Sequence, residues 1–205
     1  MNSCYNHSNI KNDALNVKVI YLKKKETRWD VIDFDSIRPA FTATGGLVLS
    51  QVVEITGVGS STIQNWIKRG WIPSPVDKKY GERQVARILI VDMLRKSMQL
   101  EKIVRLMECV NGNVEDQSDD IIKDADLYTY IYRIIQKIKP VEKFTLDRID
   151  EIISEEINDY NGPGENYTGN VSNTAQRLHE ALRIIIMTYI SSELRKRAEY
   201  ELDQM

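Results

Sequence analysis

The sequence predicts a mainly α protein, in which a small winged helix-turn-helix domain leads into a C-terminal bundle of about three helices. Three observations carry this. Two short amphipathic segments flank Gly57, a Pro-containing basic stretch follows at 70–84, and apolar residues recur at helical spacing from Ile121 onward. The chain divides accordingly into an N-terminal extension, 1–46, the helix-turn-helix domain, 47–110, and a helical region, 111–205, for assembly or regulation.

The first 15 or so residues lack periodicity and are expected to be disordered. Residues 17–22 alternate weakly, as a short strand would, and Lys23, Lys24 and Lys25 read as an exposed turn. The mixed segment 29–37 is expected to pack on the following domain, and the Thr-Gly-rich stretch 42–46 breaks the chain before Leu47.

In the central domain Ser50 is the expected N-cap of a helix over 51–56, and Gly57 supplies the left-handed residue that ends it. Val58 plugs the corner between the helices. Ser60 or Ser61 is expected to cap the second helix, which runs to about Lys68 before Gly70 ends it. There Ile63, Trp66 and Ile67 form one buried stripe, while Ser61, Thr62, Gln64, Asn65, Lys68 and Arg69 occupy the other face. Such hydroxyls, amides and bases reach base edges and phosphates in a major groove. After the wing, a helix over 85–96 is apolar on two sides, and another begins at Leu100.

Beyond a polar linker at 111–120, the spacing predicts helices over 121–138, stopping at Pro140, and from Thr145, with Ile149, Ile152, Ile153 and Ile157 on one face. A long polar loop over 158–173 precedes a last helix from about Thr174, striped by Leu178, Ala181, Leu182, Ile185, Ile186 and Tyr189.

The order of two-helix corner, Gly70-Trp71-Ile72-Pro73 turn, Lys78-Lys79-Tyr80 wing, buried helix and Leu100-Glu101-Lys102-Ile103 opening resembles the DNA-binding domain of MerR-type regulators. More narrowly, it resembles an uncharacterised bacterial family of MerR-like proteins. The resemblance implies a recognition helix at about 60–69 and a short basic wing at 77–80. Thr62 and Ile63 match its opening residues, and Gln64 stands where MerR proteins often carry an Arg. Lys78 and Lys79 would meet phosphates, Tyr80 ends the wing, and Arg83 would complete the patch.

The expected function is therefore sequence-specific regulation of transcription on double-stranded DNA, by a homodimer formed through the C-terminal helices. An excisionase-like or architectural DNA-binding protein is the alternative, or a protein-interaction module that has lost DNA binding. The charge pattern agrees with the first reading. The net charge of −2 hides 10 basic against 6 acidic residues between 47 and 109, and 11 against 19 between 110 and 205.

No Gly-rich phosphate loop, Cys-His or Ser-His constellation or metal-ligand spacing is present, so neither catalysis, a metal nor a cofactor is expected. Cys4 and Cys109 read as free thiols, and no apolar run spans a bilayer, so the cytoplasm is the expected location. Tyr128, Tyr130, Tyr132, Tyr160 and Tyr189 read chiefly as packing residues, with room for an unknown small-molecule effector.

Overall fold

A computed structural model describes residues 31–138 and 145–205. The expectations for residues 1–30, including the strand over 17–22, the lysine turn and Trp29, and the helix stop at Pro140, lie outside these.

The described residues form a mainly helical structure of eight α-helices: α1 (Phe34–Thr44), α2 (Leu49–Thr56), α3 (Ser60–Lys68), α4 (Glu82–Leu94), α5 (Leu100–Asn111), α6 (Asp124–Ile138), α7 (Leu146–Glu156) and α8 (Thr174–Asp203). A 3-10 turn, Ile157–Asp159, follows α7. Among the described residues extended pairing is limited to two isolated bridges, Leu47 with Tyr80 and Val76 with Lys79.

Helix α4 lies at the centre. Val85, Ala86, Ile88, Leu89, Ile90 and Val91 are all buried, as an apolar surface on more than one side requires. Around it pack α1, α2, α5, α6 and α8, so one continuous apolar core runs from Ile32 to Tyr189. The acid Asp33 opens α1 by accepting the Asp35 N–H at 3.1 Å, and Phe34, Ile37 and Phe41 face the core. The described part, 31–37, of the segment predicted to pack on the central domain does so, but it leads into a helix containing Pro39 that the sequence reading did not foresee.

Two capping expectations are corrected. Val48, not Ser50, precedes α2, and its N–H is satisfied at 3.0 Å by the Gln51 side chain. Gly59, not Ser60 or Ser61, precedes α3, which leaves both serines on the helix. Thr145, the expected start of α7, is instead its N-cap, accepting the Arg148 N–H at 3.2 Å.

The stretch after Asn111 is a packed connection. Gly112 is held at φ 46°, and a Cβ there would collide with the Asp119 carboxylate. That carboxylate accepts the Asn113 N–H at 2.8 Å. The long loop before α8 returns to this connection: the Thr168 N–H reaches Ser118 O at 2.8 Å and the Tyr160 hydroxyl reaches Ile121 O at 2.7 Å. Tyr128 and Tyr189 are buried, and Tyr130 donates to Asp159 at 2.6 Å, so with Tyr160 four of the five tyrosines hold elements together.

Candidate nucleic-acid interface

The corner between α2 and α3 is built by backbone requirements first. Gly57 adopts φ 71°, ψ 5°, and its N–H closes on Val53 O at 2.9 Å. Only glycine takes this left-handed conformation without steric cost. The Thr56 hydroxyl donates to Val52 O at 2.8 Å and accepts the Val58 N–H at 3.2 Å, which turns the chain outward. Val58 then fills the corner with 1 % of its surface exposed.

Helix α3 divides by face. Ile63 and Trp66 are sealed beneath it, while Ser61, Gln64, Asn65, Lys68 and Arg69 are exposed and Thr62 is half-buried. The Arg95 guanidinium lies 5.4 Å from the Trp66 ring centre, and that of Arg69 lies 5.1 Å from Trp71. The first such contact clamps the underside of α3 to the end of α4; the second directs Arg69 along the helix end.

The segment predicted as the wing holds a two-residue hairpin. Val76 and Lys79 exchange backbone hydrogen bonds at 2.8 and 3.1 Å, with Asp77 at φ 49° and Lys78 at φ 61°. Two successive left-handed residues are the mark of a type I′ turn. Its base is fixed by Leu47 and Tyr80, whose backbones pair twice at 2.8 Å. This leaves the Lys78 side chain exposed at the tip.

The remaining predicted contact residues are engaged elsewhere. Lys79 Nζ turns back to Thr44 O at 3.4 Å and Gly46 O at 3.3 Å, carbonyls at the negative end of α1. Tyr80 is 4 % exposed, in the core, and burial raises its phenol pKa. Arg83 donates to Asp116 O at 3.2 Å and lies 3.7 Å from Asp120 and 3.5 Å from Asp124. Its charge therefore serves the inside of the molecule.

That inner cluster escaped the sequence reading. Arg87, 3 % exposed, meets the fully buried Asp124 at 2.9 Å, joining α4 to the first turn of α6. Desolvation raises the Asp124 pKa, against the lowering effect of Arg87 and Arg83. It also pushes Asp120 up to about 6, with Arg83 opposing and Asp124 adding. The usable signal was spacing: Arg83 and Arg87 stand four apart, as do Asp120 and Asp124.

Among the described residues no group of three or more His, Cys, Asp and Glu is disposed to hold a metal ion. No described helix is long and apolar enough to cross a membrane.

Comparison with known proteins corrects the resemblance to MerR-type regulators. Residues 46–133 match the family described as a Domain of unknown function (DUF1836). A similar protein, "Uncharacterized protein YkrK" of Bacillus subtilis (strain 168), is 33 % identical over 84 residues, covering 39 % of this chain and 36 % of that protein. The chain thus spans about a third of the length of the curated relative it matches. Neither match is to a MerR or helix-turn-helix family, so the similarity of motif order does not carry membership of one. No solved structure matches the chain.

Proposed function

We propose that this protein is a sequence-specific DNA-binding transcription regulator, with α3 lying in a major groove and Lys78 of the hairpin against the phosphate backbone. One observation carries the reading. Helix α3 buries Ile63 and Trp66, yet among the described residues its outward Ser61, Thr62, Gln64, Asn65 and Lys68 side chains make no hydrogen bond or ion pair within the chain. Amides and hydroxyls of this kind match the donor and acceptor pattern of base edges, and Lys68 and Arg69 at the helix end suit phosphates. The basic excess of residues 47–109 supports the same reading.

Anisotropy titration of labelled random-sequence duplexes over a range of salt concentrations tests it. Affinity should fall steeply with salt, and Lys68→Ala with Arg69→Ala should lower the log–log slope by about 1–2 while weakening all duplexes alike. No salt-sensitive binding even at low ionic strength would leave a protein-interaction module as the better reading. Binding without sequence preference, accompanied by bending, would point to an architectural protein.

A further inference from the structure

From Leu194 to Asp203, about 15 Å at 1.5 Å per residue, every residue of α8 is exposed, whereas its earlier turns are packed on α4, α5, α6 and α7. The exposed segment nevertheless carries an apolar ridge at i, i+4 and i+8: Leu194, 61 % exposed, Ala198, and Leu202, 68 % exposed. We propose that this ridge pairs with the same ridge of a second copy of the chain, antiparallel, about a two-fold axis at Ala198.

Charge decides the occupant and the direction. Arg195 and Arg197 precede Ala198, and Glu199 and Glu201 follow it. An antiparallel pair centred there sets the arginines of each copy opposite the glutamates of the other. A parallel pair in register would set each charge beside its own kind. Within one chain Arg195 and Glu199 are 3.6 Å apart and Arg197 pairs with Glu201; such exposed pairs are weak and readily shared with a second helix.

The same register lays Leu194 of one copy against Leu202 of the other. Ala198, the small residue between two leucines, sits where the axes approach most closely. Ridges spaced four apart interdigitate at a crossing angle of about −50°. The register's like-charge pairing, Glu193 with Asp203, falls at the flank, where Lys196 already holds Glu193 at 2.5 Å. A contact of this length buries on the order of 1,000 Å², the lower limit for a specific dimer, and is weak and reversible. The surface is self-complementary, as a two-fold interface must be. The inference does not depend on DNA binding.

Disulfide trapping of the full chain tests it, in a Cys4→Ser, Cys109→Ser background without DNA. Cys109, Leu194, Lys196, Ala198 and Leu202 are all exposed, so substitution there leaves the fold unaffected. Ala198→Cys should form dimers alone, roughly tenfold or more faster than Lys196→Cys on the opposite face, because pairing raises the effective thiol concentration. Leu194→Cys and Leu202→Cys should cross-link when mixed but not separately. Equal rates at 198 and 196 would overturn the pairing; rapid self-linking of both 194 and 202 variants would overturn its direction.

Discussion

At the level of single residues, Lys78 is where conformation and charge conflict. A side chain at φ 61° is strained by on the order of 1–2 kcal/mol, and glycine is the residue a type I′ turn favours there. Strain of this kind persists where the side chain has a use. Lys78→Gly is expected to raise stability in urea by about 0.5–1 kcal/mol, part of the strain being offset by glycine's greater unfolded-state entropy. It should also lower DNA affinity and reduce the salt slope by about 1. A stabilised variant that binds as tightly as the parent would deny the lysine its phosphate. Asp120 offers a test by pH. Its carboxyl holds a proton more tightly folded than unfolded, so the stability it contributes is full below about pH 4 and is lost as pH rises to about 6. Asp120→Asn should gain on the parent protein across that window and hold a constant lead above it. A lead unchanged between pH 4 and 6 would show that Asp120 does not titrate there.

Among the elements, the joint between α4 and α6 depends on the Arg87–Asp124 pair more than its two residues suggest. Removing Arg87 leaves the buried Asp124 only the more distant Arg83, at 3.5 Å, at a cost of up to about 3–5 kcal/mol, whereas an apolar pair of similar volume is close to neutral. Arg87→Met should therefore destabilise strongly, and adding Asp124→Leu should recover most of the loss in chemical denaturation. A double variant no more stable than Arg87→Met alone would contradict this account of the joint. The same elements show what the chain reveals unaided. Helices α3, α7 and α8 are legible because their apolar residues keep a 3.6-residue period and turn or capping residues mark their ends. Helix α1 is not, because Pro39 interrupts it and Phe34, Ile37 and Phe41 are divided between an acidic segment and a Thr-Gly break. The outer face of α3 is legible from the period of the helix itself. The engagement of Lys79, Tyr80 and Arg83 is not, because Thr44, Gly46, Leu47, Asp116, Asp120 and Asp124 lie more than thirty residues away and only the folded chain brings them together.

At the scale of the whole molecule, α4 connects the α2–α3 corner to the C-terminal helices through one core. A face presented by α3 is thereby held on a rigid support, the condition for reading base edges within narrow tolerances. The DUF1836 match over residues 46–133 also crosses from the corner into α6, so the matched segment includes both sides of the Arg87–Asp124 joint. The central claim is that the outer face of α3 reads sequence. The most direct measurement is selection of bound duplexes from a random-sequence pool by the full chain, repeated with Gln64→Ala and with Asn65→Ala. The account predicts a defined motif in which each substitution relaxes the preference at one position by about 1–3 kcal/mol and leaves the others intact. No enriched motif, or a motif identical in all three selections, would contradict it.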